Sequence, residues 1–237
     1  YTVANDSGST IVAKREGITL PHLCFADKPG YRADGNCRAC MVSIEGERVL
    51  AASCIRKPTE GMKVLTNDER SIKSRKMVLE LLVTDQPDRE TSHDPDSHFW
   101  KIASDIDVEK SRFEKREKKI VPCEDSSHVA MSVNLDACIH CNLCVRACRE
   151  VQVNDVIGMG NRGHHSKVVF DFNDPMGDSS CVSCGECVQA CPTGALMESN
   201  LLNEKGKKVI NPERKVDSLC PYCGVGCQLT YNIKDCL

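Results

Sequence analysis

The sequence predicts an α+β chain built from several small, cysteine-rich modules. It contains 17 cysteines in 237 residues but only 4% aromatic residues, so its apolar cores are small and need further support. The cysteines form four groups, separated by stretches with one cysteine or none. Short apolar runs typical of strands surround the first group, and a stretch with helical periodicity follows it. These patterns predict mixed secondary structure.

The first module contains one cysteine group, namely Cys24, Cys37, Cys40 and Cys54. Apolar runs at residues 11–13 and 41–44 predict a small sheet around it. Its spacing, C-x12-C-x2-C-x13-C, supplies four thiolates with one close pair, which suits two irons bridged by two sulfides. A structural zinc site is the alternative. Gly35, in the loop from Gly30 to Cys40, would let backbone amides turn toward the sulfurs of a 2Fe-2S cluster.

A helix and a charged connector are predicted after this module. From Asn67 to Thr84, apolar residues recur among charged ones, which favours a helix with Asn67 available as its N-cap. Residues 85–121 carry dense charges of both signs. That composition predicts an exposed helix or connector without chemistry of its own.

An internal repeat follows the connector. CIHCNLCVRAC at 138–148 and CVSCGECVQAC at 181–191 lie 43 residues apart, which indicates a duplicated unit. Each half has the spacing C-x2-C-x2-C-x3-C, in which three close thiolates bind one cubane and the fourth reaches the other. Zinc needs only four ligands, whereas the repeat presents eight. One 4Fe-4S cluster is therefore assigned to Cys138, Cys141, Cys144 and Cys191, and the other to Cys181, Cys184, Cys187 and Cys148.

The last cysteine group is CPYCGVGC, which supplies three ligands of a third 4Fe-4S cluster, namely Cys220, Cys223 and Cys227. Gly224 and Gly226 allow the tight wrap that this spacing requires. Cys236 is a candidate fourth ligand, but we expect that ligand to lie beyond Leu237. Cys123 stands alone and stays unassigned, since a solitary cysteine is more typical of a small apolar core residue.

Composition also limits the partners. The formal net charge of -3 and the absence of a basic motif give no reason to expect nucleic acid. The sequence contains no run of about 18 apolar residues, so no membrane span is predicted. Closely spaced thiols suit a reducing compartment, so a cytoplasmic location is expected.

Taken together, the order of these motifs resembles the N-terminal region of the catalytic subunit of NAD-dependent molybdenum or tungsten formate dehydrogenases. The resemblance covers virtually the whole chain. The same layout is similar to iron-only hydrogenases and, more loosely, to the large iron-sulfur subunit of respiratory complex I. The stretch from Leu219 to Cys227 looks like the opening of the molybdopterin-binding domain of formate dehydrogenases, which separates the three families.

The resemblance implies four segments: a β-grasp 2Fe-2S domain at 1–67, a helical connector at 68–122, a two-cluster ferredoxin-like domain at 123–217, and the beginning of a molybdopterin domain at 218–237. A Mo- or W-bis-pterin guanine dinucleotide would lie in the remainder of the enzyme, on a pterin-binding catalytic domain or chain. FMN and NAD would lie in a diaphorase partner subunit.

In that setting the chain would conduct electrons from formate oxidation. They would enter near Cys220 to Cys227, pass through the two cubanes and leave by the 2Fe-2S cluster toward the flavin-binding partner. The chain itself lacks the residues of the catalytic metal site. A stand-alone electron-carrier subunit that ends at Leu237 is one alternative. An iron-sulfur module of a hydrogenase or of a complex I-like NADH dehydrogenase is another.

Overall fold

The computed structural model describes residues 8–115, 124–208 and 212–233. Its N-terminal module contains one short helix and three short strands, which are α1 (Ser9–Arg15), β1 (Met41–Ile44), β2 (Ala51–Ala52) and β3 (Val64–Leu65). The strands form an antiparallel sheet in the order β2-β1-β3. Of the predicted β-grasp sheet, the described residues show these three strands.

The apolar run at residues 11–13 lies in α1, so the strand predicted there was wrong. The first turn of α1 docks on the segment that contains Cys54. The Ser9 amide donates a hydrogen bond to the Arg56 carbonyl at 2.8 Å, and the Thr10 and Ser53 hydroxyls lie 2.6 Å apart. Three apolar residues are too few to separate helical from strand periodicity, and these polar contacts decide the outcome.

The predicted helix at 67–84 is confirmed as α2 (Glu69–Asp85). Asp68, rather than Asn67, is its N-cap, and its carboxylate accepts the Ser71 amide at 3.3 Å. The buried face of α2 repeats every four residues, as expected for a helix packed on one side, and consists of Ser71, Arg75, Leu79 and Val83.

The charged segment after α2 contains a buried helix, α3 (His98–Asp105), so the expectation of an exposed element was wrong there. The Ser97 hydroxyl caps α3 by accepting the Trp100 amide at 3.4 Å. Phe99 and Trp100 are 0% and 2% exposed and pack in one core with Leu79 and Val83 of α2. The aromatic pair outweighs the surrounding charges because burying two large rings is strongly favourable.

The repeat forms a unit of short helices and paired strands. These elements are β4 (Met131–Val133), α4 (Leu143–Arg146), β5 (Ile157–Gly160), β6 (Lys167–Phe170), α5 (Glu186–Ala190) and β7 (Leu196–Glu198). Antiparallel pairs join β4 to β7 and β5 to β6. A π-helical turn, Ala147–Val151, follows α4 directly. Single 3-10 turns occupy Leu135–Ala137, Gly163–His165, Met176–Asp178 and Ser199–Leu201.

The two halves of the repeat share their backbone conformation. Helices α4 and α5 start at equivalent positions, and each is preceded by a left-handed residue, Asn142 (φ 62°) or Gly185 (φ 75°). His140 and Ser183 are a second equivalent pair with positive φ, at 54° and 59°. The duplication predicted from the sequence is therefore confirmed in the backbone.

The last described segment is a hairpin of β8 (Arg214–Leu219) and β9 (Gln228–Ile233), paired from Arg214 with Ile233 to Leu219 with Gln228. All six residues of β8 are exposed. The predicted beginning of a molybdopterin domain corresponds to this hairpin alone, and a molybdopterin fold is not shown.

The largest buried core surrounds the cysteines of the repeat and also includes Cys24 of the first module. Apolar side chains such as Met131, Ile157 and Phe170 fill it. Among the described residues, no helix has both the length and the apolar character needed to cross a bilayer.

Candidate iron-sulfur cluster sites

The four cysteines of the first module meet at one place. Hydrogen bonds from the thiols of Cys37 and Cys54 lower the pKa of Cys24. The Cys54 thiol likewise lowers the pKa of Cys40. Cys24, Cys40 and Cys54 are buried and Cys37 is half-buried. The structure thus brings together all four residues that the sequence assigned to a 2Fe-2S cluster.

Backbone amides of the glycine-bearing loop point at one of these sulfurs. The amides of Asn36 and Cys37 donate to Cys24 Sγ at 3.2 and 3.3 Å, which confirms the expectation that this loop turns its amides toward sulfur. Gly35 has φ +62°, and a Cβ there would lie 2.8 Å from Cδ1 of Ile55. Glycine is required at this position both for its left-handed backbone and for its small size.

Replacing Gly35 with alanine is expected to cost more stability than the same change at Gly46. Both glycines have positive φ, but a Cβ at Gly46 meets no atom within 4 Å, so G46A carries only the backbone strain. We expect the free energy of unfolding of G35A to be about 1 kcal/mol lower than that of G46A, because the added methyl group overpacks against Ile55. Denaturant unfolding of the two variants measures the difference, and equal losses would contradict the steric role of Ile55.

The first three cysteines of the first repeat motif, here called the first triplet, share a cavity with a cysteine of the second half. This cavity is lined by Cys138, Cys141, Cys144 and Cys191, together with apolar residues that include Leu135, Ile139 and Val168. Burial, and next the nearby Cys191 thiol, raise the pKa of Cys141. Burial likewise raises the pKa of Cys144, and the Cys141 and Cys191 thiols add to the shift. Cys191 therefore lies beside the first triplet.

The second triplet is joined in the same way by Cys148 of the first half. Burial raises the pKa of Cys187 to about 12, with the thiols of Cys181 and Cys184 adding to it and Cys148 contributing more weakly. Cys148 lies in the π-helical turn, and its sulfur accepts the Val156 amide at 3.3 Å. The two sets of four that the sequence assigned across the repeat are thus the sets that lie together.

Equivalent amides donate to sulfur in the two halves. His140 N lies 3.5 Å from Cys138 Sγ, and Ser183 N lies 3.4 Å from Cys181 Sγ. The positive φ of His140 and of Ser183 turns each amide back toward its cysteine. Hydrogen bonds to ligating sulfur favour the thiolate and are one of the means by which a protein tunes the potential of a cluster.

The three cysteines of the last group lie at the end of the β8–β9 hairpin. The Cys220 amide donates to the Cys227 carbonyl at 2.8 Å, and Gly224 and Gly226 have φ +75° and +76°. Cys223 and Cys227 are exposed and Cys220 is half-buried. Cys123 and the candidate ligand Cys236 lie outside the described residues.

The described cysteines suit clusters in their donor chemistry. Three sets of four thiols come together, two of them in largely buried surroundings, with amides directed at sulfur. No group of three or more His, Cys, Asp or Glu in the described ranges is arranged to hold a metal ion. That finding concerns single ions, whereas the four ligands of a cluster surround several irons.

Two family matches agree with these sites. Residues 2–69 match the family described as "2Fe-2S iron-sulfur cluster binding domain", and residues 137–195 match "4Fe-4S dicluster domain". The chain contains both kinds of iron-sulfur domain. The first match includes Cys24, Cys37, Cys40 and Cys54, here called the Cys24 set, and the second includes the eight cysteines of the repeat.

The chain is also similar to parts of longer curated proteins. It is 32% identical over 222 residues to NADP-reducing hydrogenase subunit HndD of Solidesulfovibrio fructosivorans, covering 91% of this chain and 38% of that protein. It is 33% identical over 232 residues to an NADH-quinone oxidoreductase subunit of Rhizobium meliloti (strain 1021), covering 95% of this chain and 26% of that one.

A third relative carries the name "Putative formate dehydrogenase SH0748" and comes from Staphylococcus haemolyticus (strain JCSC1435). It is 27% identical over 257 residues, covering 94% of this chain and 26% of its own length. The chain therefore spans between 26% and 38% of these relatives.

The fold of the iron-sulfur protein has a solved counterpart. A chain in a crystal structure titled as an NAD+-reducing [NiFe]-hydrogenase in the H2-reduced state matches with a TM-score of 0.72. The match covers 87% of each chain at 24% identity, so it shows a shared fold.

Sequence reasoning missed the residues that join the two iron-sulfur domains. The Tyr31 hydroxyl donates to Glu186 at 2.8 Å, and the Asn36 side-chain amide donates to the His140 carbonyl at 3.0 Å. Arg146, between Cys144 and Cys148, reaches the Cys24 carbonyl at 2.6 Å. A comparison of the repeat halves offered one signal, since Arg146 stands where the second half has Gln189.

Proposed function

We propose that the chain is the electron-transfer module of an NAD(P)-linked oxidoreductase. The observation that carries the proposal is a single buried core that contains cysteines of all three complete sets, including Cys24, Cys141 and Cys187. A shared core places the three sites next to one another inside one protein, as direct electron exchange between clusters requires. The hydrogenase, NADH-quinone oxidoreductase and formate dehydrogenase names of the relatives support this class of function.

The residues of the chain hold the clusters and shield them. Iron-sulfur clusters, when bound, accept and release single electrons at a potential set by their surroundings. Thiolates of the twelve cysteines would ligate them, and amides such as those of Asn36 and Val156 would hydrogen-bond the ligating sulfurs. Apolar neighbours such as Leu143, Val168 and Ala195 would keep water away, which strengthens each of these interactions.

The finer proposal is that the complete enzyme is a formate dehydrogenase. The CPYCGVGC motif at the end of the β8–β9 hairpin supports it, since Cys220, Cys223 and Cys227 would supply three ligands of the cluster nearest a Mo- or W-pterin centre. The staphylococcal relative supports it as well. Electrons would leave through an FMN- and NAD-binding partner subunit, near the Cys24 set.

A hydrogenase is the second candidate. The NADP-reducing hydrogenase relative is 32% identical over 91% of this chain, compared with 27% for the protein named as a formate dehydrogenase. In that case the same module would carry electrons from hydrogen oxidation to the NAD(P)-binding partner.

Two measurements test these proposals. The chain purified without oxygen is expected to contain about ten irons from the three complete sets, or about fourteen if the last group assembles a cluster. It should also give reducible signals in electron paramagnetic resonance. Mainly zinc, or no reducible signal, would overturn the electron-transfer proposal. With the complete enzyme, NAD reduction by formate supports a formate dehydrogenase, and reduction by hydrogen alone overturns it.

A further inference from the structure

Arg146 lies inside the first cysteine motif, at 138–148, and is buried. Its side chain is only 3% exposed, whereas that of Arg149, three residues later, is 56% exposed. A buried guanidinium has to satisfy its donors within the protein, because burying an unpaired charge is very costly. The partners of Arg146 therefore define what it holds in place.

Those partners lie on three separate segments. Nη2 of Arg146 donates to the Cys24 carbonyl at 2.6 Å and lies 3.5 Å from the Cys141 carbonyl. Nη1 donates to the Arg32 carbonyl, and Nε lies 3.2 Å from a carboxylate oxygen of Asp34. One planar group thus ties a ligand residue of the first module, the loop before Cys37, and a ligand residue of the repeat.

We propose that Arg146 is a positioning residue that fixes the distance between the cluster site of Cys24 and the cluster site of Cys141. The inference rests on the proposed electron-transfer function, because the distance between two clusters governs electron exchange between them. Arg146 holds the two ligands through their main-chain carbonyls, so it acts on the spacing of the sites and not on ligation itself.

The charge of Arg146 is secondary to its shape. Asp34 lies against the guanidinium and is itself only 17% exposed, so the pair has little net charge. An arginine fork has five donors in fixed directions, whereas a lysine ammonium is a single point that cannot span three segments. Shape, rather than charge, is what these carbonyls require.

The second half of the repeat indicates that this role is specific. The equivalent of Arg146 is Gln189, which is exposed. The two halves share their cysteine spacing, their helix starts and their amide-to-sulfur hydrogen bonds. They differ at this position, where Arg146 of the first half contacts the Cys24 carbonyl of the first module.

Comparison of Arg146→Lys with Arg149→Lys tests the proposal. Both variants keep the net charge, and Arg149 bonds only to exposed Asp155 in the described contacts, so R149K is the matched control. After full reduction without oxygen, R146K should retain its iron but lose the magnetic interaction between the clusters of the Cys24 and Cys141 sites. R149K should retain both. An interaction equally strong in R146K and in the unchanged protein would overturn the proposal.

Hydrogen exchange gives a second readout that does not require clusters. In R146K, the amides of Asn36 and Cys37 should exchange faster than in R149K, because their loop has lost its anchor. Equal exchange in the two variants would overturn the proposal. If the protein without substitutions binds no iron, the proposed function is overturned instead. The hydrogen-exchange comparison of R146K with R149K would still decide the role of Arg146.

Discussion

Replacing Cys148 with alanine should remove about four irons, and they should be those held by the triplet of the other half, Cys181, Cys184 and Cys187. Cys148 lies in the first repeat motif, but the structure places it beside Cys187. In the same way, Cys191→Ala should remove the irons held by the first triplet, which Cys191 approaches through Cys141 and Cys144. Iron analysis and electron paramagnetic resonance measure both losses.

Double variants separate crossed from local ligation. If Cys148 and Cys184 serve one cluster, C148A/C184A should lose the same four or so irons as either single variant. C148A/C141A should lose about eight, because it damages both clusters. The opposite pattern, with about four irons lost from C148A/C141A and about eight from C148A/C184A, would assign Cys148 to its own motif. All three substitutions, C148A, C184A and C141A, are cysteine to alanine, so each variant is a control for the others.

Phe99→Ala should destabilise the protein by about 3–5 kcal/mol, the usual cost of removing a fully buried ring. Phe99 is 0% exposed and packs edge-to-face on Trp100, with ring centroids 5.2 Å apart. Its amide also donates to the Pro192 carbonyl at 2.9 Å, directly after Cys191. We therefore expect loosening of α3 to reach the first cubane site as well. The midpoint of denaturant unfolding, followed by fluorescence of Trp100, measures the loss.

Phe172→Ala is the matched control for Phe99→Ala. The Phe172 side chain is 99% exposed, so its removal should change the free energy of unfolding by less than about 0.5 kcal/mol. Equal shifts for the two variants would contradict the structural role of α3. A stable F99A protein that loses iron only from the first cubane site would locate the effect at Cys191.

The repeat could be predicted from sequence because chemistry dictates its spacing. In each half of the repeat three thiolates for one cubane follow one another at intervals of three residues, and this pattern is visible without a fold. Helix α2 could also be predicted from the sequence, since its buried positions recur every four residues. Its cap shifted from Asn67 to Asp68 because both side chains can accept an amide hydrogen bond and their neighbours decide between them.

Tertiary contacts account for what the sequence did not reveal. Helix α1 depends on the hydrogen bonds of Ser9 and Thr10 to a segment more than 40 residues away. Helix α3 depends on a partner face that only folding supplies. The role of Arg146 could not be predicted, because its carbonyl partners lie in segments that no local pattern connects. Contacts between residues far apart in the chain produce no periodic pattern and no fixed spacing in the sequence.

The unequal exposure of the two halves also sets an order of oxidative damage. In the first triplet Cys141 and Cys144 are buried, whereas in the second only Cys187 is, and Cys184 is exposed. Oxidation of cysteine starts where a thiolate meets solvent. An oxidant should therefore attack the second half before the first, leaving the cubane nearest the Cys24 set intact. The two halves of the duplicated unit therefore differ in how well their cysteines are protected from oxidation.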